Sequence, residues 1–205
     1  MGEIIAIDDE EWTHAKMIAK YQTSLARQVR PSFIISCMDA ITLELLESWD
    51  RQVQILTNLA TLVDESNRKV KSSPDGWTID FHLAHVHEVR YSWLMTIAPE
   101  DAKQLGDVFV PADGDWQPID DLNEIKSQLA VSAKMVRDVV ERLLAEGATQ
   151  VGPYTHPVQF LQHMVWHEGY HFGLLMLALR NAGCEPTDQW EETNVWGIWR
   201  TEESV

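Results

Sequence analysis

The sequence of 205 residues lacks most of the features that mark secreted, membrane-spanning and disulfide-bonded proteins. It has two cysteines, Cys37 and Cys184, which are too few for a disulfide framework and fit a reducing cytoplasm. No apolar run approaches the roughly 20 residues that cross a bilayer. The first residues have neither the basic nor the long apolar region of a secretory signal. We therefore expect a soluble, cytoplasmic protein with no membrane partner.

Positive charge is also scarce. Sixteen basic residues stand against 32 acidic residues, which gives a formal net charge of −16. Such a chain would repel a phosphate backbone and has no broad basic face, so we expect no nucleic-acid partner. The acidic excess is explained most simply as a solvated surface.

Alternating strand patterns are missing, whereas helical periodicity covers most of the chain. Apolar residues at spacings of three and four predict four helices. These helices span residues 40–65, residues 79–96 after an N-cap at Thr78, a segment from a cap at Asp120 or Asp121 to residue 145, and a segment from Pro157 to residues 181–183. The pattern predicts an all-α, up-down four-helix bundle with almost no strand. The long connection over residues 100–118 is expected to be functional and to form a pocket wall.

Six of the eight histidines lie on two of these helices. The second helix carries His82, His85 and His87, and the fourth carries His163, His167 and His171. Steps of four residues place the second group on one stripe, and His82 shares a face with His85, whereas His87 lies about 200° away from His85. If the two faces meet, a divalent metal ion could lie between the helices, as in other bundle cores. His14 and His156 are expected to be ordinary packed or surface histidines.

Residues 167–171 read HEGYH and match the zinc-protease motif H-E-x-x-H, which offers a second interpretation. No histidine follows His171, so the longer motif with a third downstream histidine fails. A glutamate ligand from Glu185, Glu191 or Glu192 remains open, although these acids follow the end of the helix. In the bundle interpretation Glu168 points about 100° away from His167 and is a partner of a ligand or a surface acid.

Several short motifs together resemble the DinB-like superfamily. They are Trp77-Thr78, Leu83-Ala84-His85, the run HEGYHFG over residues 167–173 and the run LRNAG over residues 179–183. The resemblance implies a four-helix bundle over residues 38–183 with a three-histidine divalent metal site formed by His85, His167 and His171. Residues 1–37 are then an N-terminal extension, with a further helix expected within residues 11–30. Residues 184–205 form an acidic, tryptophan-rich tail that packs on the bundle.

The resemblance also implies an activity class. The superfamily includes metal-dependent thiol transferases, a thiol-dependent isomerase and proteins assigned as hydrolases. We therefore expect zinc, nickel or iron as the cofactor, and activation of a low-molecular-weight thiol or of water on a small-molecule substrate. The alternative is a non-catalytic bundle that binds a metal or ligand, or that forms a homodimer through its tryptophan-rich tail. Whether His82 or His163 joins the site stays open.

Overall fold

The computed structural model describes residues 31–112 and 114–200, with side chains from residue 40 onward. The site described below lies in the compact unit that begins at residue 44. The helix predicted within residues 11–30, and His14 with it, lie outside the described residues. Among the helices of the described part, none has the length and hydrophobicity that crossing a membrane requires.

Four long helices account for most of the described chain, which confirms the predicted all-α bundle. They are α1 (Pro31–Thr61), α2 (Ile79–Ile97), α3 (Leu122–Ala145) and α4 (Pro157–Asn181). The last three agree closely with the predicted bounds. In contrast, α1 begins and ends earlier than the periodicity predicts.

The early end of α1 has a local cause. The carboxylate of Asp64 accepts a hydrogen bond from the backbone N–H of Ser66 at 2.8 Å, and the N–H of Asp64 donates to Oδ1 of Asn67 at 2.9 Å. Short polar side chains that bond to nearby backbone offer the chain an alternative to the helix. The apolar pattern continues to Val63, but the backbone has already turned.

Side-chain caps define the start of α3. Oδ1 of Asp121 accepts hydrogen bonds from the backbone N–H groups of Asn123 and Glu124 at 3.0 and 3.1 Å, so Asp121 is the cap. Thr78 occupies the N-cap position of α2 as predicted. Its hydroxyl, however, donates to the carboxylate of Asp80 at 2.5 Å and does not cap the backbone.

Contacts between side chains give the relative direction of α2 and α4. His82 lies 2.9 Å from His171 between their Nδ1 atoms, and the ring centroid of Trp93 lies 5.9 Å from that of His163. Later positions on α2 therefore meet earlier positions on α4. The two helices run antiparallel, and their histidine-rich faces meet.

The directions of the helices do not alternate strictly along the chain. Nδ1 of His87 contacts the carbonyl oxygen of Gln128 at 3.0 Å, and Arg90 reaches the hydroxyl of Ser132 at 3.3 Å. Later positions on α2 thus meet later positions on α3, so these neighbouring helices run parallel. Parallel neighbours need a connection that returns along the bundle. The segment over residues 98–121 supplies it.

This return connection contains a β-hairpin that the sequence pattern did not predict. Strand β1 (Phe109–Ala112) pairs antiparallel with β2 (Asp115–Pro118). Gly114 in the turn has φ of +84°, a conformation that glycine adopts without strain. A short helix, Pro99–Ala102, precedes the hairpin. Strands of four residues are too short for alternation to reveal them in a segment rich in proline and aspartate.

Two clusters of buried apolar side chains form the core, and α2 contributes to both. One lies around the N-terminal half of α2 and includes Leu59, Leu83, Ile125 and Leu179. The other lies around its C-terminal end and includes Trp49, Leu94, Val136, Phe160 and Met164. The core therefore holds α2 against α3 and α4 on both sides of the histidine-rich segment.

The tail after α4 folds into short helical turns over Asp188–Glu191, Glu192–Trp196 and Gly197–Trp199. Two side chains of α1 donate to its backbone: Arg51 to the carbonyl oxygen of Ile198 at 2.8 Å and Asn58 to that of Asn194 at 3.0 Å. These bonds attach the tail to the outer side of α1.

Candidate functional site

The structure brings the three predicted ligand residues together. His85 on α2 meets His167 and His171 on α4, and one ring nitrogen of each lies within 4.8 Å of the others. Among the described residues, this is the group of histidine, cysteine and acidic side chains that could hold a metal ion. The ring centroid of His85 is 5.3 Å from that of His167 and 4.9 Å from that of His171.

The spacing of the two α4 rings fits two ligands of one ion. Nε2 of His167 and Nε2 of His171 are 3.1 Å apart. Two nitrogens that bind one ion at about 2.0–2.1 Å, with an angle of about 90–110° between them, lie about 2.8–3.4 Å apart. Three imidazole nitrogens suit zinc, nickel or iron and leave further coordination positions free. The donor set therefore fits the cofactor that the sequence predicted.

His82 contacts one member of the cluster, His171, at the ring nitrogen that does not face His167. Its Nδ1 is 2.9 Å from Nδ1 of His171, while Nε2 of His171 faces His167. When His171 presents the lone pair of Nε2 to the cluster, its Nδ1 carries the proton and donates to His82. His82 is then protonated at Nε2, a buried atom with no hydrogen-bond partner among the described residues. A ligand held at its second nitrogen is fixed in tautomer and orientation, so His82 positions His171.

The remaining described histidines have structural partners elsewhere. Nδ1 of His163 contacts the hydroxyl of Tyr154 at 2.8 Å, so His163 lies outside the cluster. His87 points away from it, as predicted, and both of its ring nitrogens face backbone carbonyl oxygens. His156 caps α4 by accepting from the N–H of Val158 at 3.2 Å. His82 therefore adjoins the cluster, whereas His163 does not.

Burial keeps the clustered imidazoles neutral. Desolvation lowers the pKa of His167 to about 4 and that of His171 to about 3, and the neighbouring imidazoles add to the effect. Desolvation also lowers the pKa of His85, and it lowers the pKa of His82 to about 4, with a contribution from His85. Near pH 7 all four rings are uncharged. Their lone pairs can bind a cation without first releasing a proton.

The structure places Glu168 in neither of the two positions that the sequence predicted for it. It is fully buried, and its Oε1 accepts from Nε of Arg90 at 2.7 Å. Arg90 also donates to the carbonyl oxygen of Leu129 at 2.6 Å and lies 5.3 Å from the ring centroid of Trp49. Glu168 is therefore neither a surface acid nor a hydrogen-bond partner of a clustered histidine. It joins α4 to α2 and, through Arg90, to α3.

This placement removes the basis of the protease interpretation. A general base must reach the water that it activates, but Glu168 bonds to Arg90 inside the core. Among the proposed downstream ligands, Glu185 pairs with Arg180 and Glu192 pairs with Arg200. Within residues 40–112 and 114–200, the group of side chains that could hold a metal ion contains no glutamate.

Two pockets open beside the cluster, and His85 and Trp77 line both. One, of about 520 Å³, is lined by the three clustered histidine rings, by His82 and by the exposed Trp166 and Tyr170. The other has a volume of about 440 Å³ and shares Trp77 and His85 with the first. The ring of Trp77 is parallel to that of His171, within 5°, at a centroid distance of 6.1 Å.

The connection between α2 and α3 forms part of the wall of the 440 Å³ pocket, as its length led us to expect. Asp107, Phe109 and Trp116 from this segment line the 440 Å³ pocket. Sequence reasoning did not single out these side chains or Arg90. For Arg90 a signal was present, because a charged residue interrupts the apolar part of α2 just as Glu168 interrupts α4.

A model of the DinB family matches residues 38–197, which is most of the chain and includes every residue of the cluster. The chain belongs to the DinB family. The match extends beyond the predicted end of the bundle at residue 183 and takes in most of the tail of this DinB-family chain. A search of curated proteins found no match, and a search of solved structures found none.

Proposed function

We propose that this DinB-family protein is a metal-dependent enzyme in which His85, His167 and His171 hold one divalent ion. The observation that carries the proposal is the meeting of three uncharged imidazoles from two helices beside two open pockets. A purely structural metal site is normally closed by four protein ligands, whereas three ligands leave a position for a reactant.

The reaction would convert a small-molecule substrate by attack of a low-molecular-weight thiol or of water. A bound divalent ion lowers the pKa of a thiol or water, so that the nucleophile forms near neutral pH. Zinc, nickel and iron all suit imidazole ligands. The proposed activity is therefore that of a thiol transferase or a hydrolase acting on a small molecule, in the cytoplasm and without nucleic-acid or membrane partners.

The residues around the cluster would each have a distinct task. His82 holds the Nδ1–H of His171 and fixes the direction of its Nε2 lone pair. Arg90 and Glu168 join α2 to α4 immediately beside the histidine rings, which limits the sliding of one helix along the other. Trp77 packs against the rings of His85 and His171 and lines both pockets, so that it limits access of water to the cluster.

Metal content tests the site directly. The purified protein, stripped and then supplied with zinc, nickel or iron(II), should bind about one ion per chain in equilibrium dialysis. His167→Ala should lose this stoichiometric binding. His163→Ala is the matched control, because it removes an imidazole one turn away on the same helix and outside the cluster. Full metal retention by His167→Ala would refute the assignment.

A non-catalytic bundle is the second candidate function. It is favoured by one observation: Trp166 is 71% exposed and stacks on the exposed Tyr170 beside the 520 Å³ pocket. Such a surface suits a partner or a second copy of the chain. Turnover separates the two candidates. Conjugation of electrophiles to low-molecular-weight thiols by the metal-loaded protein, lost in His85→Ala, would support the enzyme, and failure across a broad panel would favour the binding protein.

A further inference from the structure

The 440 Å³ pocket in front of His85 has an unusual combination of side chains. Four aromatic rings line it, from Trp77, Phe81, Phe109 and Trp116, and two carboxylates, Glu88 and Asp107, complete the wall. We call this the aromatic pocket. Its volume lies within the range of small-molecule sites.

The hairpin places two of the rings on one side. Phe109 and Pro111 are two residues apart on β1, and Pro111 pairs with Trp116 on β2, so all three lie on the same face. Phe109 meets Phe81 of α2 edge to face at a centroid distance of 5.1 Å. Trp116 keeps 58% of its surface exposed. The hairpin thus presents a large ring to the pocket that the protein itself does not cover.

The α2 side contributes a second pair of rings. The centroids of Trp77 and Phe81 are 4.6 Å apart, with their planes tilted by 36°. Trp77 is 43% exposed and also lies 4.8 Å from the ring of His85. Aromatic rings therefore border the pocket from both α2 and the hairpin, and the nearest of the clustered histidines is part of the wall.

Among the residues that the structure describes, the carboxylates of the aromatic pocket form no ion pair with lysine or arginine. No lysine or arginine side chain of the described residues forms an ion pair with Glu88 or with Asp107. Burial and the nearby charge of Asp107 raise the pKa of Glu88, so the two carboxylates that line the pocket repel each other. A positively charged ligand between them would relieve that repulsion.

We infer that the aromatic pocket binds an organic cation of the alkylammonium class. Ring faces and carboxylates both attract positive charge, and aromatic rings favour weakly hydrated alkylammonium groups. Hard inorganic cations prefer a shell of six or more oxygen ligands, which two carboxylates cannot supply. The inference rests on the proposed function in treating the pocket as a substrate subsite beside the metal. It assigns a positively charged group to the substrate.

Choline and its uncharged analogue 3,3-dimethylbutan-1-ol provide the test, because they have nearly the same shape and differ in charge. Binding to the full chain is measured by calorimetry and by tryptophan fluorescence. Choline should bind saturably and about tenfold more tightly than the alcohol, as expected for a partly desolvated cation on aromatic faces. Equal binding of the two compounds, or no binding of choline, would overturn the inference.

Variants then locate the site. Trp116→Leu and Glu88→Gln should each weaken choline binding about tenfold. Trp196→Leu and Glu146→Gln remove an exposed tryptophan and one charge outside the pocket, and they should leave the affinity unchanged. Equal losses in the pocket and control variants would contradict the assignment. Circular dichroism confirms the fold of each variant.

The His167→Ala variant separates this inference from the metal proposal. Its pocket retains all six aromatic and acidic side chains, so it should bind choline as the unmodified chain does even when it carries no metal. Loss of metal with retained choline binding supports both ideas. Retained metal binding in the unmodified chain without any choline binding would refute the pocket inference alone.

Discussion

Replacing Arg90 with leucine tests the buried ion pair that joins α2 to α4. Arg90 is 1% exposed and Glu168 is fully buried, and their Nε–Oε1 distance is 2.7 Å. Removal of one partner leaves a buried carboxylate without its counter-charge, which typically costs about 3–5 kcal/mol. In a domain of this size, about 2–4 °C of melting temperature corresponds to 1 kcal/mol, so we expect Arg90→Leu to melt about 6–20 °C lower.

Urea denaturation of metal-free protein measures this loss, with two comparisons. Arg137→Leu breaks ion pairs with Asp50 and Glu141 in which all the side chains are partly exposed, and it should cost less than about 1 kcal/mol. The double variant Arg90→Leu/Glu168→Leu removes both charges and should regain much of the stability. The reasoning is refuted if Arg90→Leu costs no more than Arg137→Leu, or if the double variant is less stable than Arg90→Leu.

The same variant has a distinctive pH dependence. Burial raises the pKa of Glu168, and Arg90 is the group that opposes this shift. Without Arg90 the folded-state pKa of Glu168 should lie well above its unfolded value. The loss of stability caused by the unpaired Glu168 carboxylate is then complete at pH values above that raised pKa. It shrinks as the pH falls towards the pKa of Glu168 in the unfolded chain. The stability gap between Arg90→Leu and the unmodified chain should therefore narrow from neutral to mildly acidic pH.

Three further predictions follow from the site and the helix ends. His82→Ala should weaken zinc binding about 10–100-fold without abolishing it, as measured by competition with a chelator, because it removes the support of a ligand and not a ligand. The metal-free chain should lose stability to urea as the pH falls from about 6.5 towards 4, because unfolding restores ordinary pKa values to histidines whose folded-state pKa is about 3 to 4. Asp121→Ala should lower the free energy of unfolding by about 1 kcal/mol, because the α3 cap is lost. The control variant Asn123→Ala, two residues further along the chain, should lower the free energy of unfolding by less.

Local signals in the sequence predicted the helices well. Thr78, Asp121 and Pro157 mark helix starts, and the apolar periodicity between them agrees with the bounds of α2, α3 and α4. The convergence of His85 with the α4 histidines was expected from the resemblance to the DinB-like superfamily, whereas helical spacing alone left open whether the two histidine-bearing faces meet. The helix bounds depend on residues only a few positions apart. The convergence of the histidines depends on which faces of α2 and α4 pack together.

The features that were missed depend on contacts between distant parts of the chain. The pairing of Arg90 with Glu168 joins residues 78 positions apart, and no local pattern indicates it. The aromatic pocket required the hairpin to return alongside α2, which brings Trp116 towards Trp77. An up-down bundle, in which successive helices alternate in direction, was the simpler expectation. The long connection over residues 98–121 instead allows α2 and α3 to run parallel.

The division of the histidine cluster between α2 and α4 also determines when the site can form during synthesis. His85 leaves the ribosome long before His171, and at roughly 5–20 residues per second the interval is about 4–17 s. During this interval His85 is present without His167 and His171, and the return connection has still to pack along the bundle. Until His171 emerges, the nascent chain has no three-ring site to offer an ion. Metal loading should therefore depend on the arrival of the last long helix.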